Sequence, residues 1–555
     1  MKQPVSENNK PGRHFNIVYA VVCAIIIRSL VGLIGFSIAD GQTPIKIVVD
    51  ATAPSYAVPI DFAGLGFETK SVLPNTYGVS GYLFSPENKA LITLFQNTGV
   101  RHIRIGGGTV DGSGRGEQCT TAIPDRKDID QLFGFAKRAQ VKVIYSLRLL
   151  NLGRCIDPDL ATKDAEIAQY IWHNYKDELD SFSIGNEPDV REFHTYPGHP
   201  MDPLIYEAKV GVAGSAYPSY FADWQRFAAV VHKAVPDAKI SGPETAVSDE
   251  SSYTPNPTTG ISWTQKFAAD VRGTGFLGEA LQHHYVWGSP EDTTATEAID
   301  DMLSGAWDSD LSVGTQRARN GKTVPFHPYP YLYTHNLAPL ASYGVRYRMT
   351  EANDCLHGVQ GASNGYASAL WALDYMHWWA EHGAAGINFH NNPWLPTDTV
   401  AQDRTRCSHA ACGDYRVNPK AYGIKAFDLG SHGYIMPLSL SNPRKINLTA
   451  YAIGTDQSIY VTLINKTHAT THDVTAIAAI IAIDGFRTRN AEYITLSNGD
   501  PGNASSMTAT LGEADLTDNA VWRGKWIPVR PIHDHMVRVP VQSTSAVIVK
   551  ISLSR

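Results

Sequence analysis

Between residues 180 and 188 the chain reads Asp180-Ser181-Phe182-Ser183-Ile184-Gly185-Asn186-Glu187-Pro188. The run before Gly185 has the texture of a strand. Glycine and proline then stop it, so Asn186 and Glu187 sit where strand gives way to loop. The same pattern recurs on both sides. Candidate strands are Phe62 to Glu68, His102 to Gly107, Lys142 to Leu149, Asp180 to Glu187, Lys239 to Glu244, Ala280 to Trp287, Tyr347 to Asn353 and Gly386 to Asn391. Between them, Asp128 to Gln140, Leu160 to Tyr175, Tyr220 to Ala234 and Asn364 to His382 carry apolar residues at helical spacing. Eight βα units point to a closed (β/α)8 TIM barrel rather than an open doubly wound sheet. Ile105-Gly106-Gly107-Gly108-Thr109 follows the second strand, not the first, and reads as a tight strand-end loop rather than a phosphate cradle.

After Leu429 helices give way to alternating strands: Asn447 to Ile453, Ser458 to Asn465, Asp473 to Ile483, Glu492 to Ser497, Trp522 to Arg530 and Ser545 to Ser552. This is the pattern of an all-β sandwich domain. The expected division is a leader over 1–39, a linker and strand over 40–60, a catalytic barrel over 61–430 and a sandwich over 431–555. The strand Ile45 to Asp50 precedes the barrel and is a candidate extra strand of the sandwich.

Across 555 residues, 43% hydrophobic and 10% aromatic, there is ample material for two cores. Lys and Arg number 47 against 54 Asp and Glu, with no basic run in the body of the chain, which argues against a nucleic-acid partner. Lys2, Lys10 and Arg13 precede an apolar stretch from Phe15 to Ala39, and Ser37-Ile38-Ala39 offers small residues for cleavage. This reads as a secretory signal peptide, with no stable membrane association once it is removed. The alternative is an uncleaved anchor, against which Arg28 near the middle counts. Without residues 1–39 the balance becomes 43 basic against 53 acidic side chains, a clearly acidic protein. Three Asn-x-Ser/Thr sequons begin at Asn447, Asn465 and Asn503.

Of six cysteines, Cys23 falls in the leader. Cys407 with Cys412 brackets one short loop, and Cys119 with Cys155 is a second candidate pair for an oxidising compartment. Cys407, His409 and Cys412 lack further ligands at metal-site spacing, so no metal is expected.

Active sites of such barrels form at the C-terminal strand ends. Strand four ends in Asn186-Glu187 and strand seven in Thr350-Glu351-Ala352-Asn353, placing two carboxylates on opposite sides of one cleft. Facing carboxylates are the equipment for cleaving a glycosidic bond, one as acid/base and one as nucleophile. Glu187 is the expected acid/base, with the Asn186 amide available to a sugar hydroxyl. Glu351 is the expected nucleophile, with Tyr285 at the end of strand six hydrogen-bonding it.

Arg101-His102-Ile103-Arg104-Ile105-Gly106-Gly107, Ile184-Gly185-Asn186-Glu187-Pro188, Gln282-His283-His284-Tyr285 and Thr350-Glu351-Ala352-Asn353 together resemble a clan of retaining barrel glycosidases. Gly358, Ala369-Leu370-Trp371, Asp374 and Gly386-Ile387-Asn388-Phe389-His390 extend the likeness to glycoside hydrolase family 79, the family of heparanases and microbial β-glucuronidases. The resemblance spans about residues 45 to 555. It implies a retaining β-glucuronidase working by double displacement, with no cofactor and a glucuronate-bearing carbohydrate as substrate. His357 and Gly358 would then face the sugar carboxylate. Where that family carries a tyrosine beyond strand eight, this chain has Asn391-Asn392-Pro393-Trp394.

Glu68 ends strand one and has two readings, a contact to a sugar hydroxyl or a structural ion pair. Glu244 reads as loop structure and Asp111 as a turn residue. Trp287 is placed to stack on a sugar, whereas Trp371, Trp378 and Trp379 lie on a helix and read as core. Competing functions are a clan member acting on a neutral sugar and a non-catalytic carbohydrate-binding barrel. Long insertions around Tyr196 to Tyr217 and Trp307 to Tyr333, with the acidic balance, favour exo attack on weakly charged glycans.

Overall fold

In a barrel strand alternate residues face the helices and the lumen. The second strand, His102-Ile103-Arg104-Ile105-Gly106, shows what this does here: Ile103 and Ile105 join the apolar core while His102 and Arg104 turn inward. The computed structural model of this protein describes residues 44–76, 80–111, 124–149, 159–189, 217–246, 261–287, 293–304, 316–319, 322–325, 328–392, 395–402, 415–469, 476–532 and 536–554. The leader, the cysteines Cys119, Cys155, Cys407 and Cys412, and most of the two insertions lie outside the described residues, as do Pro393 and Trp394. Among the described residues no helix is long and apolar enough to cross a membrane.

Eight parallel strands close into a barrel: Ala63–Glu68, His102–Gly106, Lys142–Leu147, Leu179–Ile184, Ile240–Thr245, Leu277–Trp287, Tyr347–Cys355 and Ile387–His390, the eighth pairing with the first. The outward set, including Leu65, Phe67, Val143, Tyr145, Phe182, Ile184 and Phe389, packs under the helices. Helix starts follow local chemistry. Asp125 with Asp128, Ser262 with Gln265 and Thr294 with Glu297 form reciprocal capping boxes for Arg126–Ala139, Trp263–Val271 and Ala295–Leu303.

The sandwich comprises a four-stranded sheet ordered Leu438–Ser441, Ile45–Asp50, Ile477–Asp484, Met536–Val541, and a larger sheet built on Leu448–Gly454, Ser458–Asn465, Ser545–Ser554 and Arg487–Ser497. Ile45–Asp50 is thus an inner strand, parallel to Ile477–Asp484 and antiparallel to Leu438–Ser441. Met536–Val541 was not among the expected strands, because Pro540 reads as a breaker. It is an edge strand, where a missing N–H is tolerated. Asn465 is wholly buried, so its sequon is closed in the folded protein.

One helix joins the two units. Every residue from Tyr366 to Ala380 is buried, because the helix lies between barrel and sandwich, and Trp371, Trp378 and Trp379 are core. Its first backbone N–H groups donate to Ser506 and Ala504 carbonyls of the sandwich. Asp374 accepts from Lys466 Nζ at 2.7 Å, Thr449 Oγ1 at 2.6 Å and Tyr451 Oη at 2.8 Å, so this buried charge is paired and hydrogen-bonded across the junction. One turn further, His377 stacks on Tyr451 with ring centroids 4.7 Å apart. Both its ring nitrogens are buried without hydrogen-bond partners.

That burial lowers the His377 imidazole to about 3. Protonation therefore favours the unfolded chain, whose histidine titrates near 6.5. The stability tied to neutral His377 is complete above about pH 6.5 and is lost as pH falls toward 3. We expect the urea midpoint to decline from pH 7 to pH 5 and His377→Leu to flatten that decline. Equal slopes for both proteins would contradict this.

Candidate active site

The centre of the barrel mouth is a guanidinium. Arg104 points into the lumen from the second strand with no solvent exposure. Gly106, two residues on, leaves the space: a Cβ there would stand 2.5 Å from Arg104 Cζ. Arg104 Nη1 donates to Glu351 Oε2 at 2.8 Å, Nη2 to Asn186 Oδ1 at 2.6 Å and Nε to Glu244 Oε1 at 3.3 Å. One cation thus ties together the ends of strands four, five and seven.

His283, on strand six, is the second hub. Its Nε2 lies 2.8 Å from Glu244 Oε2 and its Nδ1 3.2 Å from Glu187 Oε1. Burial opposes charge on this ring, but Glu351, Glu187 and Glu244 outweigh it and raise the imidazole to about 10. At neutral pH it is a cation donating to both carboxylates. Burial also works against ionised Glu244, yet Arg104, His283 and the Thr350 hydroxyl at 2.6 Å bring its carboxyl down to about 2. Glu351 is held still further down by His390, His283, Arg104 and the Tyr285 hydroxyl, despite burial. Tyr285 Oη donates to Glu351 Oε1 at 2.7 Å, and His390 Nδ1 stands 3.7 Å from the same oxygen.

Two buried cations, Arg104 and His283, thus face two buried anions, Glu244 and Glu351. Glu187 stands apart, its side chain 28% exposed. An oxygen of Glu187 lies within 4.8 Å of one of Glu351. Backbone geometry helps to aim it: Gly185, Glu187 and Glu244 all have positive φ, and Glu187 N–H donates to the Glu244 carbonyl at 2.9 Å. For two glutamates this is strained backbone, of the kind functional sites retain. Glu187, His283 and Glu351 offer atoms at metal-ligand spacing. The protonated imidazole and the guanidinium already supply the positive charge there.

The structure brings Glu187, Glu351, Asn186 and Tyr285 to one centre. Glu68 is elsewhere engaged: it accepts from Thr109 N–H at 2.8 Å, Thr109 Oγ1 at 2.6 Å and Gly108 N–H at 3.3 Å, bracing the glycine loop after strand two. Among the described residues its hydrogen-bond partners are amides and a hydroxyl, not a cation. His357 is exposed with φ 63°, and Gly358 is buried against Thr397 and Pro396. The Gly358 N–H donates to the Cys355 carbonyl at 3.1 Å, committing it to the turn. Trp287 ends strand six, its backbone in register with Cys355. Asp111 accepts from Leu149 N–H at 2.8 Å.

Glu244 requires a correction. Expected at the end of strand five with only a loop-structural role, it lies within that strand, wholly buried, and links Arg104, His283 and Thr350. His283, His390 and Arg104 also received no role. The strict alternation in His102-Ile103-Arg104-Ile105 carried the missing signal: a charge on the lumen side of a barrel strand must find buried partners.

These features define a barrel with paired carboxylates at its C-terminal mouth and a sandwich behind it. No family model and no curated protein matches the sequence. Solved structures do. A 4-O-α-L-rhamnosyl-β-D-glucuronidase from Fusarium oxysporum 12S aligns with TM-score 0.61 and 14% identity, over 90% of this chain and 99% of that one. A family-51 arabinofuranosidase from Xanthomonas axonopodis pv. citri aligns with TM-score 0.58 and 13% identity, over 92% and 100%. A monomeric β-xylosidase from Caulobacter crescentus CB15 aligns with TM-score 0.52 and 12% identity, over 91% and 99%. This chain therefore shares the two-part fold of these glycoside hydrolases.

Glu244→Gln should leave Arg104 and His283 short of a buried counter-charge, costing about 3–5 kcal/mol in urea unfolding. Thr350→Val, which removes one hydrogen bond to the same carboxylate, should cost only about 1–3 kcal/mol. A smaller loss for Glu244→Gln than for Thr350→Val would contradict the network.

Proposed function

We propose that this protein is a retaining glycoside hydrolase in which Glu351 attacks the anomeric carbon and Glu187 protonates the leaving oxygen, then activates water. The observation that carries this reading is the carboxylate spacing. An approach within 4.8 Å suits a covalent glycosyl-enzyme at roughly 5–5.5 Å, whereas inversion needs about 6.5–9.5 Å to admit water. Position divides the roles. Glu351, buried and fixed by Arg104 and Tyr285, is kept ionised for attack, and Glu187, partly open to the cleft, is within reach of the leaving oxygen. Asn186 accepts from Arg104 through its oxygen, which leaves its amide N–H groups for a sugar hydroxyl beside the reacting carbon. A merely carbohydrate-binding barrel has no use for this pairing.

The substrate we propose is a terminal β-glucuronide, attacked from the chain end. The family motifs support it, as does the likeness in fold to the rhamnosyl-glucuronidase of Fusarium oxysporum. The acidic balance of the chain disfavours densely sulfated polymers. A neutral sugar is the second reading, and the Gly358 amide favours it, because that N–H is turned into its own loop rather than offered to a carboxylate.

Glu351→Gln should abolish turnover. Glu187→Ala should lower kcat/KM on unactivated substrates by roughly 10²–10⁴, with little loss on aryl glycosides, and azide should restore turnover as a β-glycosyl azide. Wild-type behaviour of Glu187→Ala on unactivated substrates would remove the acid assignment. Nitrophenyl β-glucuronide compared with the α-arabinofuranoside and β-xyloside separates the two substrate readings. With heparan sulfate, size-exclusion chromatography should show unchanged polymer; a clear drop in size would overturn end-on attack.

A further inference from the structure

At the opposite end of the barrel lies a second cluster that the proposed reaction does not use. Asp61 precedes the first barrel strand, His102 opens the second and Asp180 lies near the start of the fourth. One carboxylate oxygen or ring nitrogen from each stands within 4.8 Å of the other two. Asp180 arrives there through a bulge: strand register runs from Val143–Leu179 to Ile144–Ser181 and skips it, re-aiming its side chain onto the barrel floor. Arg348, from strand seven, donates to Glu279 Oε2 at 2.9 Å and lies 3.5 Å from Asp61 Oδ2. Before any charge on His102, three carboxylates therefore surround one guanidinium, an excess of two negative charges.

A separate observation points to a ligand. The His102 side chain is wholly buried, and its Nε2, aimed toward Asp180 Oδ2 at 3.9 Å, makes no hydrogen bond. Beside it, Asn388 Oδ1 is also buried without a hydrogen-bond partner, while Asn388 Nδ2 stands 2.9 Å from His102 Nδ1 and donates to the Leu65 carbonyl at 3.2 Å.

We propose that the barrel floor binds a divalent cation of the Zn²⁺ class through Asp61, His102 Nε2 and Asp180, with water in the remaining position. One imidazole with two carboxylates is a borderline donor set suited to such ions. Ligation through Nε2 moves the ring proton to Nδ1, and a half-turn of the Asn388 amide then sets Oδ1 to accept it. This is the hydrogen bond that metal-bound histidines characteristically make through the other ring nitrogen. His102 Nε2 and Asn388 Oδ1 both gain partners, at the expense of the 3.2 Å bond that Asn388 Nδ2 otherwise donates to the Leu65 carbonyl. Bonds of about 2.0–2.1 Å require the ligand atoms to draw closer. Asp61 and Asp180, with side chains 20% and 30% exposed, have room to move and give the ion a path from solvent. The ion offsets the two excess charges and joins the entry to strand one with strands two and four across the floor. Its effect is on stability, at the far end from Glu187 and Glu351.

The test is titration of chelator-stripped protein with Zn²⁺ alone, followed by calorimetry and thermal melting, with Co²⁺ absorption to report the ligand geometry. The expected result is one saturable ion per chain, a raised Tm and unchanged kcat. Asp61→Asn and Asp180→Asn should each weaken Zn²⁺ at least ten-fold and remove the Tm rise while keeping activity, and Glu187→Gln should bind as wild type. His102→Gln, if it folds, should lose the ion as well. No saturable binding at millimolar Zn²⁺, binding that survives both aspartate substitutions, or binding lost in Glu187→Gln would overturn the proposal.

Discussion

A guanidinium without solvent must be surrounded by acceptors, and in this protein that need organises the barrel mouth. Arg104 cannot shed its charge, so its burial costs several kcal/mol unless carboxylates face it. Glu244 and Glu351 do so, with the Asn186 oxygen taking a third donor. His283, made cationic by the same carboxylates, completes a balanced set. Each member holds its place because the others do. Preorganised charge of this kind loses nothing to rearrangement when bonds change nearby.

Much of this was legible in the chain, for reasons that differ by element. The barrel strands could be counted because their outward residues are apolar and their ends carry glycine or amides; Lys142 to Leu149 and Tyr347 to Asn353 differ from the observed strands only at one end. The helix Leu160–Tyr175 has the expected bounds. Glu187 and Glu351 stood out through Asn-Glu-Pro and Thr-Glu-Ala-Asn at strand ends across the mouth. Glu244 did not, because a lone Glu at a strand end carries no flanking motif, and the buried Arg104 and His283 that engage it come from other strands. In the sandwich, Pro540 hid an edge strand, and the two-residue strand Tyr434–Ile435 is too short for periodicity to register.

The lumen and the junction solve one problem in two ways. Both bury full charges; the mouth balances cations and anions across several strands, while the junction confines a single pair, Lys466 and Asp374, within hydroxyls from Thr449 and Tyr451. The first arrangement leaves one carboxylate facing the cleft. The second leaves both Asp374 oxygens engaged, by three donors between them, which suits a joint that keeps sandwich and barrel in one orientation.

The inner position of Ile45–Asp50 in the sandwich bears on how the molecule is assembled. This segment leaves the ribosome well before the strands on either side of it, Leu438–Ser441 and Ile477–Asp484. Its apolar face, Ile45, Ile47 and Val49, therefore waits through synthesis of the entire barrel before its partners arrive. Cutting the gene near residue 430 would separate no self-sufficient halves: the downstream piece would lack a central strand, and the upstream piece would trail an unpaired one, prone to pairing with its own copies.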